Sequence, residues 1–244
     1  MRKNDNKSPD PAVPLREGAA EGCRSLVVWA DVLDRINVFP VADGDTGRNL
    51  VLTLAPLQRG IPDREALKTR ILASARGNSG NIAARFFCGF LEAECAEGLP
   101  AACREGRDLA YGALKNPMQG TILSLFDALV DGLEQSPPGE GGGWASRVTQ
   151  GMESALLATR RQLPELEAAG VVDAGALGLF LFFRTCFQAV SHGAGDAEHL
   201  PQSLKPFLAP AETWHVDPAR GYCLDAMVRT AGRGSPADVV RAFG

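Results

Sequence analysis

Asn37-Val38-Phe39-Pro40-Val41-Ala42-Asp43-Gly44-Asp45-Thr46-Gly47-Arg48-Asn49 is the stretch on which the reading of this chain turns. Two carboxylates, Asp43 and Asp45, stand one glycine apart, after a proline and just before a helix can begin. The freedom of Gly44 lets both acids turn toward one point. Paired carboxylates suit a hard cation with oxygen ligands, Mg²⁺ first. Thr46 can cap the helix that follows, whose N–H groups and dipole favour a phosphate. The competing reading is an Asp-Gly turn between two helices, a common signal that needs no ligand.

Outward from this loop the pattern is helical on both sides. Before it, Leu26, Trp29, Ala30, Leu33 and Ile36 recur at helical spacing, which predicts a helix over Cys23 to Ile36. After it, helices fit Gly47 to Ala55, Asp63 to Ala75, Asn81 to Cys95, Ala101 to Leu114, Thr121 to Leu133, Trp144 to Gln162 and Leu177 to Val190. No convincing strand alternation interrupts them. The expected fold is all-α, a bundle or barrel of about eight antiparallel helices. The apolar runs Phe86–Phe90 and Phe180–Phe187 read as core rather than as a lipid tunnel.

Polar and glycine-bearing residues gather at four helix boundaries: Asn37–Asn49, Gly77–Gly80, Gln119–Thr121 and Asp173–Gly175. They follow the first, third, fifth and seventh expected helices, so an antiparallel bundle brings all four to one rim. In Gly77-Asn78-Ser79-Gly80 the glycines allow close backbone approach and Ser79 offers a hydroxyl to a phosphate; a helix cap is the alternative. Gly120-Thr121 supplies either another small donor or an N-cap. Asp173 either touches a sugar or base or caps the next helix.

Composition limits the function. The net charge is −4, with 25 Lys+Arg against 29 Asp+Glu, and no long basic run appears. Nucleic-acid binding, which needs a positive footprint, is not expected. Six cysteines lie scattered without a C-x-x-C pair, which argues against zinc and suits a reducing compartment. No secretory signal or integral membrane span is read, and a cytoplasmic location is expected. There is no G-x-x-x-x-G-K-[ST], no protein-kinase motif set and no G-x-S-x-G elbow, so any nucleotide is held by another scaffold. His192, His199 and His215 are assigned no catalysis.

Taken together, Asn-Val-Phe-Pro-x-x-Asp-Gly-Asp-Thr-Gly-x-Asn, Ala-Arg-Gly-Asn-Ser-Gly, Gly-Thr-Ile and Ala-Gly-Val-Val-Asp-Ala-Gly resemble the dihydroxyacetone kinase L-subunit (DhaL) family. The Asn-Val-Phe-Pro lead-in and the Arg-Gly-Asn-Ser-Gly form are closest to the N-terminal ATP-binding domain of the fatty acid kinase branch. The resemblance covers roughly residues 23 to 192. It implies a helical barrel with ATP and Mg²⁺ at one rim. Asp43 and Asp45 would hold the metal and serve catalysis, with Asn37 in the region of a further ligand. Thr46, Gly47, Asn49, Ser79, Gly80, Thr121, Asp173 and Gly175 would contact the nucleotide. It also implies a kinase that phosphorylates an acyl carboxylate presented by a DegV-type fatty-acid-binding partner.

The chain departs from that pattern at Asn81-Ile82-Ala83-Ala84-Arg85, at Leu50 and at Ala176-Leu177, which bears on the adenine pocket and partner contacts more than on the metal. The expected organisation is a disordered tail over 1–20, the ATP-binding helical domain over 21–193, a linker over 194–213 and a truncated start of a middle domain over 214–244. That last segment holds Tyr222-Cys223-Leu224 and a helix near Pro236–Phe243. Two other readings stand beside the first: a dihydroxyacetone kinase L-subunit, and a nucleotide-binding regulator without transfer activity. The sequence leaves the oligomeric state open, and a homodimer is compatible with it.

Overall fold

The computed structural model describes residues 13–59, 63–139 and 143–215. Every regular element among them is helical. Nine α-helices run in order: α1 (Val13–Arg35), α2 (Thr46–Leu54), α3 (Arg64–Ser74), α4 (Gly77–Phe90), α5 (Leu99–Gly112), α6 (Ile122–Gln135), α7 (Trp144–Thr159), α8 (Pro164–Ala169) and α9 (Ala174–His192). Short 3₁₀ turns cover Ala55–Arg59, Ala96–Gly98 and Gln202–Phe207. The all-α expectation holds.

Packing runs from α1 to α2, α4, α5, α6, α7 and α9, then back to α1, closing a ring; α3 lies outside it against α2 and α4. Helix α9 also touches α2 and α6 and is buried along almost its whole length. By length and composition it is apolar enough to cross a membrane, yet it is enclosed by the other helices. Its apolar side chains leave water by packing on α4 and α6, which is the main stabilising term here. Phe183 is the centre of that contact. It lies within 6.0 Å, centroid to centroid, of Phe86, Phe87, Phe90, Phe182 and Phe187. Phe86 stacks on Phe126 at 4.0 Å, joining α4 to α6. The two phenylalanine runs are core, as their spacing predicts.

Three expectations need correction. Helix α1 begins at Val13, so the part of the 1–20 tail that is described is helical. Leu15, Ala19 and Cys23 are buried there, and Gly18 and Gly22 let α1 lie directly on Val190, Cys186 and Phe182 of α9. From Val13 on, that segment instead belongs to a helix held by its neighbour. Second, the stretch before Val171 contains α8, so Asp173 follows the eighth helix rather than the seventh. Helix α4 likewise begins at Gly77 and ends at Phe90, earlier at both ends than the apolar run suggests.

Third, residues 194–213 do not hang free as a linker. Trp29 donates its indole N–H to the Ala197 carbonyl at 3.0 Å, and Arg184 donates to the His199 carbonyl at 3.2 Å. Leu200 and Leu204 are buried, the Arg160 guanidinium sits 3.7 Å over the Phe207 ring, and the Ala211 amide donates to Ala169 at 2.8 Å. Proline and glycine exclude regular structure here, but the apolar residues between them still dock. The readings made for Tyr222–Leu224 and Pro236–Phe243 lie outside the described residues.

Truncating Phe183 to Ala removes a ring that five others touch. We expect Phe183→Ala to cost about 3–5 kcal/mol of unfolding free energy, read from the shift of the denaturant midpoint at constant slope. A loss below about 1 kcal/mol would contradict the packing described.

Candidate functional site

The acidic loop is held at its base by buried Leu33, Ile36 and Val38. Gly44 turns the chain between the two acids at φ +66°, a left-handed value that glycine adopts without strain. The Asn37 side-chain amide donates to Asp43 Oδ1 at 2.7 Å. Burial, and next to it the charge of Asp45, push the Asp43 carboxyl above its usual range; the Asn37 hydrogen bond acts the other way. This is a crowded, partly desolvated negative pair with an amide beside it. A divalent cation would relieve the repulsion, and both carboxylates offer hard oxygens. Asp43 and Asp45 could therefore hold Mg²⁺, with Asn37 beside them.

Across from the acids stands the start of α4. Asn37, Pro40, Val41, Asp43, Asp45, Asn49, Gly77, Asn78 and Ser79 line one small, open cleft. A helix leaves its first-turn amides without an intrahelical acceptor, and the N-cap residue Arg76 makes no side-chain cap bond. Asn78 and Ser79 thus bring the positive end of α4 to the cleft wall, with the Ser79 hydroxyl beside it. A built Cβ on Gly77 would lie 2.3 Å from Nδ2 of Asn49, so only glycine lets α4 start this close to α2.

The other expected site residues lie behind that wall. Thr46 is the first residue of α2 and is buried; Asp45, not Thr46, is the N-cap. The α2 amides expected to receive a phosphate are already used: Gly47 N and Arg48 N donate to Asp34 Oδ1 at 2.7 and 3.2 Å. Gly47 faces the Ala30 carbonyl, 2.2 Å from where a Cβ would stand, so its role is the close α1–α2 contact. Gly80 is likewise turned away. Its amide donates to the Arg76 carbonyl and its Cα faces Thr53 of α2.

Thr121 caps α6, accepting from Leu123 N and donating to the Met118 carbonyl. Asp173 caps α9 by accepting from Ala176 N at 2.7 Å, with the Ile122 amide at the start of α6 near enough to pull its pKa down. The capping alternative is the one found for both residues. Gly175 is buried, 3.4 Å (from a built Cβ) from the Ser79 hydroxyl and 3.5 Å from Ile122. The four boundaries do meet at one rim. Asn37, Asp43, Asp45, Asn49 and Ser79 line the cleft, whereas Thr46, Gly47, Gly80, Thr121, Asp173 and Gly175 support it.

Pro40, Val41 and Asn78 line the cleft without having been given a role. They lie inside the two motifs quoted, so contiguity with the named residues was the available signal. Asp34 was missed altogether. Its helical position gives no hint that its carboxylate reaches the next helix.

Asp173 generates a pH test. Burial pushes its carboxyl up to about 6, against the opposing pull of the Ala176 and Ile122 amides. The folded state therefore binds the proton more tightly than the unfolded chain. The stability this gives is complete below the unfolded value near 4 and is lost as pH rises through about 6. Asp173→Asn keeps a capping oxygen without the charge. Its stability relative to wild type should rise between pH 4 and 7 by up to about 3 kcal/mol. A difference that does not change with pH would refute the buried-charge account. Asp173→Ala, which strips the α9 cap, should lose about 1 kcal/mol or more at any pH.

Comparison with known proteins agrees with this geometry. The DAK2 domain matches residues 40–188, from the acidic loop into α9. Protein YloV of Bacillus subtilis is 34% identical over 233 residues, covering 85% of this chain and 42% of its own length. An uncharacterized protein of Staphylococcus saprophyticus is 28% identical over 233 residues, and one of Staphylococcus haemolyticus 29% over 231, each covering 86% of this chain and 42% of its own length. The chain thus spans about two fifths of the curated relatives it matches. With the all-helical ring and its rim cleft, the match over residues 40–188 establishes that this chain belongs to the DAK2 domain family, whose DhaL-type domain is a kinase-related ATP-binding unit.

Proposed function

We propose that this chain is the Mg-ATP-binding domain of a fatty acid kinase type phosphotransferase, acting on an acyl carboxylate presented by a DegV-type lipid-binding partner in the cytoplasm. One observation carries the ATP part: a crowded carboxylate pair faces a helix N-terminus across a single cleft. An anion rich in phosphate and a divalent cation are the two charges such a cleft lacks. The cleft is small and open to solvent. It suits the triphosphate end, with the rest of the nucleotide lying along the rim.

In this reading Asp43, Asp45 and Asn37 hold the cation, and Ser79 with the α4 amides seats the phosphates. The cation, when bound, neutralises charge on the phosphate oxygens. Positioning and charge neutralisation are most of what phosphoryl transfer asks of a protein. A carboxylate acceptor is already ionised at neutral pH, so no base is needed. The acyl branch rests on the Asn37–Pro40 lead-in and the Arg76–Gly80 form. The phenylalanine runs fill the core, which favours an acceptor delivered by a partner.

Calorimetry of ATP binding with and without Mg²⁺ tests the site. Asp43→Ala and Asp45→Ala should each abolish the Mg²⁺-dependent part while leaving the helical circular dichroism intact. Unchanged affinity in both would remove the metal assignment. Ser79→Ala should weaken Mg-ATP binding by roughly two- to tenfold, the worth of one hydrogen bond.

For the acceptor, labelled ATP is offered with lipid-loaded DegV-type protein, with free fatty acid and with dihydroxyacetone. Transfer is expected with the first and not with the other two. Robust phosphorylation of dihydroxyacetone by the chain alone would move it to the dihydroxyacetone kinase branch. Binding without any transfer would favour a nucleotide-binding regulator.

A further inference from the structure

Asp34 lies in the last turn of α1 and does not line the cleft, yet it bonds to the chain at both ends of the acidic loop. Its backbone carbonyl accepts from Asn37 N at 3.3 Å, where the loop begins. The same carbonyl lies 3.6 Å from a Cβ built on Gly44, the turn between Asp43 and Asp45. Its carboxylate Oδ1 takes Gly47 N at 2.7 Å and Arg48 N at 3.2 Å, where the loop ends, and Oδ2 lies 3.5 Å from the Arg48 guanidinium. The side chain is only 17% exposed, so these charge-assisted bonds are poorly screened.

We infer that Asp34 is the positioning residue of the cation site: it clamps the exit of the Asn37–Asp45 loop to its entry and so sets the separation of the Asp43 and Asp45 carboxylates. This rests on the cation-binding reading above. The same carboxylate neutralises the N-terminus of α2, leaving α4 as the helix end that draws a phosphate to the cleft. Asp34 is not what holds α1 to α2. Gly47 against the Ala30 carbonyl and the Cys23 thiol on the Leu54 carbonyl do that independently, so its variants keep the fold.

The experiment measures Mg²⁺ affinity by calorimetry and the Mn²⁺ paramagnetic resonance line shape on the full chain. Wild type is compared with Asp34→Ala, Asp34→Asn, Asp34→Glu and, as control, Asp43→Ala. Loss of the clamp in Asp34→Ala should weaken cation binding about tenfold or more and broaden the Mn²⁺ spectrum. Asn keeps an acceptor at the same reach and should recover most of the affinity. Glu keeps the charge at the wrong length and should not.

If instead Glu matches wild type while Asn behaves like Ala, Asp34 acts only through its charge and the clamp is refuted. If Asp34→Ala binds Mg²⁺ as wild type while Asp43→Ala does not, the clamp is refuted and the cation site stands. If Asp43→Ala also binds normally, the cation site itself falls. Should Asp34→Ala fold poorly, the Asn and Glu pair decides the matter without it.

Discussion

Helix α9 is apolar on every face from Ala174 to Phe183, so it cannot lie at a surface and must be enclosed. That demand organises the rest of the molecule. Helices α1, α2, α6 and α7 close around it, and α4 reaches it through the phenylalanines of its own apolar face. Once α9 is inside, its first residues, Asp173 to Gly175, are fixed at the rim where α4 and α6 also begin.

Several helix N-termini then stand close together at that rim, each the positive end of a dipole. Their mutual repulsion needs negative charge, and the protein supplies most of it internally. Asp34 takes the start of α2, and Asp173 takes that of α9 with the start of α6 close by. The start of α4 has no such side-chain cap and borders the cleft with Asp43 and Asp45 opposite. The site is thus a local imbalance of charge in the rim: the positive end of α4 on one wall and two crowded carboxylates on the other. A phosphate bound to a divalent cation matches both.

Much of the fold was legible because helical periodicity is a local property. The stripe from Leu26 to Leu33 and the run from Leu177 to Val190 lie in helices as read. Errors arose where a neighbour decided the outcome. Gly18 and Gly22 look like helix breakers in isolation and become contact points once α9 lies against them. Leu200, Leu204 and Phe207 sit in a segment punctuated like a linker, and their burial depends on a surface made by distant residues. The same limit applies at the site. Gly47 and Gly80 belong to phosphate-like motifs, but their lost side chains make room for Ala30 and Thr53 rather than for a ligand.

The sequence by itself determined the helical class, the four polar boundaries and the identity of the acidic pair, since all of these are written in contiguous residues and in spacing. Tertiary structure alone decided which groups face the cleft and which hold it up. A capping carboxylate and a ligand-binding one have the same chemistry and the same kind of neighbours along the chain. Asp43 and Asp34 are separated only by where their oxygens point, and that direction is set by helices packed from elsewhere in the sequence.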